Sequence, residues 1–356
     1  MIVKNEEEVL ARCLSGTKDI FDEIIIVDTG SADHTREIAE RFADTVAEFC
    51  WRDDFSAARN YSFSLAHTDY IMWMDADDVI APEDRAALIR LKSELDGETD
   101  IYMLPYRAAP DEDGISPLVY YRERIIRRKS GLSWTGAVHE TLPLAGKIAY
   151  RDAAVTHKKP PERSTAFRNL FLYAKQFAHG TMPDERQKFY FARELKDNGL
   201  YDTAASVYEA FLCGDGWTEN KICACRDLAD CYKRLHKRQK RLSALFRSFE
   251  YAPPRAEICC DIGECCFEEG DLDGAVFWYK LALNEKPDAR SGAFVMPDYS
   301  GFIPCLWLCV CFDRLGKRDK AEYYNEQAGK IRPHDKSYLY NKHYFENLKP
   351  KVKDDE

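Results

Sequence analysis

The stretch Tyr70-Ile71-Met72-Trp73-Met74-Asp75-Ala76-Asp77-Asp78 constrains this chain more than any other: an apolar run of strand type stops abruptly at carboxylates. A strand buried on both faces reads as a near-continuous apolar run, so acids that follow it lie past its C-terminal end, where open α/β sheets hold their ligands. Asp75 and Asp77, two positions apart, can converge on one hard cation, and carboxylate oxygens are the ligands that Mg²⁺ and Mn²⁺ prefer. The plainer alternative is that Asp75 to Asp78 cap a helix starting near Pro82, because acids favour a helix N-terminus.

The neighbouring text supports a sheet with ligands at its rim. Ile24 to Val27 reads as a buried strand, Asp33 to Phe42 as a helix, Thr45 to Phe49 as a strand, and Ser56 to Ala66 and Pro82 to Leu95 as helices. Strand alternating with helix implies a parallel sheet with right-handed crossovers. After Asp100 the pattern changes to strands without regular helices, Ile101 to Pro105, Leu118 to Arg128, Ala137 to Leu142 and Lys147 to Thr156, which predicts an antiparallel addition. The basic run Arg122 to Lys129 reads as a solvated strand face, with phosphate or nucleic-acid contact as the alternative.

From about Arg163 the chain reads as helical to its end. Asn198-Gly199-Leu200-Tyr201-Asp202-Thr203-Ala204, Glu269-Gly270-Asp271-Leu272-Asp273-Gly274-Ala275 and Leu315-Gly316-Lys317-Arg318-Asp319-Lys320-Ala321 align, followed by Tyr208, Tyr279 and Tyr324. A Gly-free copy ends at Ala244 with Phe246, its turn falling in the basic run Lys233 to Arg241. Glycine in a tight inter-helix turn, then alanine where the next helix meets its partner, is the signature of tetratricopeptide-type helix pairs, although the spacing is irregular against a repeat of roughly 34 residues. Eleven of the 13 cysteines fall between Cys213 and Cys311, none with C-x₂-C spacing, which predicts reduced thiols packed between helices rather than zinc ligands or a disulfide framework.

Composition excludes several classes. A chain that is 45% hydrophobic with net charge −10 is a soluble globular protein and not a general nucleic-acid binder. Its longest apolar stretch, Phe302 to Phe312, is about half the ~20 residues needed to span a bilayer. No signal peptide opens it, so a cytoplasmic location is expected.

Four motifs in order, Met1-Ile2-Val3-Lys4-Asn5-Glu6-Glu7, Asp28-Thr29-Gly30-Ser31, Phe55-Ser56-Ala57-Ala58-Arg59-Asn60 and Asp75-Ala76-Asp77-Asp78, resemble the family-2 glycosyltransferases with the GT-A fold. Trp134-Thr135-Gly136-Ala137-Val138-His139-Glu140 and Val155-Thr156-His157 look like later motifs of the subgroup that carries tetratricopeptide repeats, some of whose members are bacterial peptide S-glycosyltransferases. The resemblance implies a mixed α/β GT-A domain over residues 1–160, with helices on both faces of its sheet, and an all-α repeat domain over 161–356. It further implies that Asp28 contacts the uracil or ribose of a UDP-sugar, that Arg59 sits by the base or phosphates, and that Asp75 lies by the ribose and cation. Asp77 would be the principal ligand of Mn²⁺ or Mg²⁺, and His157 would complete the metal shell. Glu140 would take the acceptor's proton, giving inversion at the anomeric carbon, with His139 as acceptor contact or alternative base. Trp134 reads equally as a platform under a sugar ring or as a core aromatic. Asp53, Asp54 and Asp78 read as capping or solvent-facing acids. Such chains usually have residues ahead of Met-Ile-Val-Lys-Asn, so the expectation is either a short first strand with a frayed sheet edge or a true start that lies upstream.

The reading that follows is a metal-dependent hexosyltransferase acting on a peptide, protein or glycan, its helical tail offering part of the acceptor site, a dimer surface or a partner surface. The competing reading is a catalytically silent nucleotide-sugar sensor whose repeats recruit a partner. Intact Asp75, Asp77, His139 and Glu140 argue against silence, since a sensor needs no base.

Overall fold

Short apolar runs open the chain as strands, separated by amphipathic helices: β1 (Ile2–Val3), α1 (Leu10–Ser15), β2 (Ile25–Asp28), α2 (Thr35–Phe42), β3 (Thr45–Glu48) and α3 (Phe55–Ser64). The computed structural model describes residues 1–108, 110–111, 114–158, 167–286, 290 and 292–348. β2 lies between β1 and β3, all parallel, with Val3 and Glu48 both opposite Asp28. The C-terminal ends of these strands therefore share one rim. Ile26 is fully buried against Leu10, Leu14 and Ala39, which ties the strands to α1 and α2. Asp54 stops the chain before α3 by accepting a hydrogen bond from the Ala57 amide at 3.0 Å, an ordinary N-cap.

A second sheet holds β4 (Tyr70–Met72), β5 (Asp78–Val79), β6 (Ile101–Ala108), β7 (Leu118–Arg127), β8 (Ile148–Tyr150) and β9 (Val155–His157), with α4 (Pro82–Ser93) crossing between β5 and β6. Its order is β4-β7-β6-β9-β5, with β8 also on β6. The predicted antiparallel addition is present, since β7 runs antiparallel to both β4 and β6. Two details differ from expectation. Residues 137–142 form a loop closed by a single Thr135–Thr141 bridge, and the run expected from Lys147 to Thr156 divides into β8 and β9.

The basic run on β7 is not a solvated face. β7 is an interior strand, so Arg124 has no exposed surface, while Arg122 is only half-buried. The β6–β7 register also slips: Tyr102 faces Ile125 but Met103 faces Glu123, leaving Arg124 as the extra residue of a bulge. A bulge bends its strand and re-aims nearby side chains, and bulges are common beside active sites.

β1 pairs with β2 and β4 with β7, leaving edges of β1 and β4 unpaired among the described strands. A cavity of about 590 Å³ separates the sheets there, lined by Met1, Ile25, Phe63, Ile71 and Met72. β1 itself is two residues long.

The chain divides into two compact units, Met1–Gly199 and Leu200–Glu356. The boundary expected at 160/161 lies outside the described residues. The next two helices, α5 (Arg168–Ala178) and α6 (Glu185–Asp197), belong to the first unit, where Leu172, Tyr173, Tyr190 and Phe191 pack around Val138.

The second unit is a run of helices: α7 (Tyr201–Leu212), α8 (Thr218–Arg234), α9 (Arg238–Arg247), α10 (Ala256–Glu268), α11 (Leu272–Asn284), α12 (Phe302–Arg314), α13 (Arg318–Ile331) and α14 (Lys336–Leu348). Gly270 and Gly316 turn the chain between paired helices with φ of +77° and +70°. In the Gly-free copy His236 takes the same left-handed conformation, at φ +55°. The aligned alanines Ala204, Ala244, Ala275 and Ala321 are all buried, as are Tyr208 and Tyr279. Cys259, Cys260, Cys309 and Cys311 pack with Tyr279, Leu308 and Phe312, as small apolar residues between helices.

Candidate active site

After β4 the chain leaves the strand conformation, and the Asp78 amide donates to the Asp75 carbonyl at 3.0 Å. This turn decides which carboxylates converge. Had the strand continued, Asp75 and Asp77 would project together; in the turn they part. Asp75 gives Oδ1 to Arg59, whereas Asp77 and Asp78 meet His157, which stands opposite Asp78 in the β5–β9 pair. His157 Nδ1 is 3.3 Å from Asp77 Oδ1 and 3.7 Å from Asp78 Oδ1. One ligand atom from each of these three residues lies within 4.8 Å of the others. Asp78, expected at the surface, is fully buried, because β5 places it against Arg124.

Arg124 Nη1 donates to Asp78 Oδ2 at 2.9 Å and to the Trp73 carbonyl at 3.1 Å, holding one oxygen of Asp78. The other, Oδ1, is buried without a hydrogen-bond partner, and so is His157 Nδ1. Buried polar atoms left unmatched beside one another are uncommon and call for a physical explanation. Two carboxylates and an imidazole whose ligand atoms face a common point suit Mn²⁺ or Mg²⁺ with further oxygen ligands. The adjacent carboxylates of Asp77 and Asp78 raise the His157 pKa to about 9 despite the opposing effect of burial.

The second focus is Arg59, on α3. Its Nη2 donates to Asp75 Oδ1 at 2.8 Å and its Nε to Glu140 Oε1 at 2.6 Å. Its guanidinium also lies 4.9 Å and 5.0 Å from the rings of Trp73 and Trp134. One cation thus joins residues 75 and 140. Burial pushes the Asp75 carboxyl up, but Arg59, Arg124 and Arg122 outweigh it and hold the group well below the usual carboxylate range. Asp28 closes the rim on the other sheet, its Oδ1 accepting from the amides of Gly30 and Ser31 at 2.9 Å and 2.8 Å. Gly30, at φ +104°, permits that turn.

His139 and Trp134 are placed differently from Glu140. His139 has φ +52°, unusual for a non-glycine residue, and its Nε2 lies 2.8 Å from Glu194 Oε1 on α6. Its ring stacks on Tyr190 at 4.4 Å, and Asn169 donates to the same Glu194 oxygen. The left-handed backbone turns His139 toward α5 and α6 while Glu140 turns to Arg59. Trp134 is 2% exposed and packs edge-on against Trp73 and Phe63, so it is a core aromatic rather than a platform under a sugar. Asp53 makes an ion pair with Lys175 at 2.7 Å.

Glu194 has no signal in the sequence, and Asp78, Arg122 and Arg124 read there as capping or strand-face charges rather than as site residues. Only the arginines left a trace: charged Arg122-Glu123-Arg124 beside apolar Ile125-Ile126 is unusual for an interior strand.

Acids and guanidiniums gathered past the strand ends of an α/β unit, followed by stacked helix pairs, define a ligand-binding α/β domain joined to helical repeats. Residues 1–141 match the family described as Glycosyl transferase family 2, and the N-terminal domain is a glycosyltransferase domain of that family. A TPR repeat-containing protein of Synechococcus elongatus is 29% identical over 298 residues, which are 83% of this chain and 68% of that protein. The SPbeta prophage-derived glycosyltransferase SunS of Bacillus subtilis is 31% identical over 143 residues, 39% of this chain and 33% of SunS. The chain thus spans only a third of SunS. Among solved structures, a crystal structure of MamA aligns with 51% of this chain and 91% of its own, at 16% identity and TM-score 0.38. The C-terminal helices of this chain are stacked pairs joined by left-handed turns, a tetratricopeptide-like arrangement. Among the described residues no helix is long and apolar enough to cross a membrane.

Proposed function

We propose that this protein transfers a hexosyl group from a UDP-sugar to a peptide, protein or glycan acceptor, with inversion and with the help of Mn²⁺ or Mg²⁺. The observation that carries the reading is the single Arg59 guanidinium that ties Glu140 to Asp75, in the turn that also presents Asp77 and Asp78 to His157. Asp77, Asp78 and His157 would hold the cation. Bound there, a divalent ion supplies positive charge that offsets the charge growing on a departing diphosphate.

The chain's own residues do the rest. Asp28, fixed by its two backbone hydrogen bonds, accepts from the ribose or uracil of the donor. Asp75, held ionised beside Arg59, flanks the ribose and the cation. Glu140 takes the proton from the incoming hydroxyl or thiol while that atom bonds to the anomeric carbon and the bond to the diphosphate breaks. Arg59 holds the Glu140 carboxylate in one orientation by occupying Oε1. His139, held by Glu194 and stacked on Tyr190, positions the loop that carries Glu140 rather than acting as the base. The helical repeats recruit the acceptor or another protein.

The test is Mn²⁺-dependent release of UDP from UDP-sugars. The reading expects turnover in the wild type and its loss in Asp77→Asn; no turnover with any UDP-sugar, or turnover unchanged in the variant, overturns it.

A further inference from the structure

The indole of Trp73, only 3% exposed, is the hub of three guanidiniums. Arg124 lies 3.9 Å from its ring centre, Arg122 4.8 Å and Arg59 4.9 Å. Three like charges about one buried ring repel one another, and each needs a countercharge. Arg124 has Asp78 and no exposed side-chain surface. Arg59 has Asp75 and Glu140, with its side chain 10% exposed. Arg122 is different. Its side chain is 27% exposed, and its carboxylate partner is the adjacent Glu123, reached at 3.1 Å and 3.4 Å.

Pairing between neighbours on a strand is itself unusual, because successive side chains point to opposite faces. The pair sits directly beside the bulge at Arg124, where the β6–β7 register slips between Ile125 and Glu123. The peptide is fixed there by Trp73, whose Nε1 donates to the Glu123 carbonyl at 2.5 Å and whose amide donates to the Arg124 carbonyl at 3.2 Å. Arg122 thus lies over the Trp73 ring next to this fixed peptide and keeps part of its side chain exposed. Arg122 is also among the charges that act on Asp75.

The charge around that turn points to what Arg122 meets. Asp75, Asp77, Asp78, Glu123 and Glu140 bring five carboxylates, so a diphosphate entering here meets repulsion unless cations face it. A divalent ion offsets part of that repulsion. Arg59 and Arg124 are sequestered by their own carboxylates. Arg122 is the one of the three guanidiniums with substantial solvent access.

We infer that Arg122 is a donor-binding residue that grips the diphosphate oxygens of the nucleotide sugar, releasing Glu123 to do so. The inference rests on the transferase reading. Arg122 provides planar, bidentate recognition of phosphate oxygens that a lysine reproduces only as a point charge. Glu123 keeps the guanidinium in place until an anion arrives.

Binding of UDP and of UMP, each with saturating Mn²⁺, and of Mn²⁺ alone, would be measured by calorimetry on the full chain and on Arg122→Ala, Arg122→Lys and Glu123→Gln. Arg122→Ala is expected to weaken UDP binding by about tenfold or more, the scale of a lost charge-assisted contact. UMP, which lacks the second phosphate, should be affected less, Arg122→Lys should recover part of the loss, and Mn²⁺ alone should bind as in the wild type. Glu123→Gln should leave UDP binding equal or tighter. Equal UDP affinity in wild type and a folded Arg122→Ala overturns the Arg122 assignment alone. Loss of Mn²⁺ binding in Arg122→Ala together with a lowered melting temperature assigns it a structural role and also overturns it. If the wild type binds neither UDP nor UMP, the transferase reading fails and the inference with it.

Discussion

Asp78 and His157 stand opposite each other across two short strands, and the atoms that face each other, Oδ1 and Nδ1, are 3.7 Å apart and both buried without a hydrogen-bond partner. Asp78 is held on its other oxygen by a fully buried arginine. A buried acid whose free oxygen aims at an imidazole and a second carboxylate is suited to a cation, either a proton on His157 or a divalent metal.

The proton and the metal compete, which makes the pH dependence specific. Asp77 and Asp78 raise the His157 pKa from 6.5 to about 9. In the metal-free protein this interaction stabilises the fold fully below pH 6.5, and the benefit is lost as pH rises through about 9. Urea unfolding in EDTA should therefore show stability falling across that window, by about 3 kcal/mol at most. Affinity for Mg²⁺ should run the other way, rising toward pH 9 as the competing proton leaves, with the pH dependence reduced in His157→Asn.

Asp77 and Asp78 should separate by stability. Asp78→Ala leaves Arg124 buried without its carboxylate, so a loss of about 3 kcal/mol or more is expected. Asp77 is partly exposed and shares His157 with Asp78, so Asp77→Ala should cost less than Asp78→Ala, about 1–2 kcal/mol. Denaturant midpoints measure the first difference, and titration with Mn²⁺ should show both variants impaired in metal binding.

The neighbours His139 and Glu140 should separate by kinetics. Glu140→Gln is expected to lower kcat by about 10²-fold or more while UDP affinity stays within about twofold of wild type. His139→Ala should lose stability, through Glu194 and Tyr190, by about 1–2 kcal/mol, with a loss of turnover smaller than that of Glu140→Gln. Full activity in Glu140→Gln would remove it as the base.

In the helical unit, two equivalent turns should respond with opposite signs. Exposed His236 holds a left-handed backbone, and His236→Gly should raise stability by about 0.5–1 kcal/mol. Gly270 at φ +77° has open space around it, so Gly270→Ala tests backbone strain alone and should cost about 1 kcal/mol. Thermal unfolding of the two variants checks the pair.

Much of the fold was legible because helices, buried strands and repeat turns are written in local periodicity. The glycine turns, the buried alanines at 204, 244, 275 and 321, and the parallel order of the first three strands all follow from residues close in sequence. The site was legible in its membership more than in its pairing. Asp75, Asp77, His157, Arg59 and Glu140 do gather in the same unit. That Asp78 joins Asp77 and His157, while Asp75 goes to Arg59, depends on a turn after Met72 and on β9 returning about eighty residues later.

The residues alone determined an α/β unit with acids past a strand end, followed by stacked helix pairs, since hydrophobic period and turn chemistry are local properties. Tertiary structure decided the rest. Cross-strand register set His157 against Asp78, an interior strand with a bulge buried Arg124, and packing of α5 and α6 drew His139 away from Glu140. Those outcomes turn on which distant segments share a sheet, and charged side chains settle wherever the assembled surroundings best offset their desolvation.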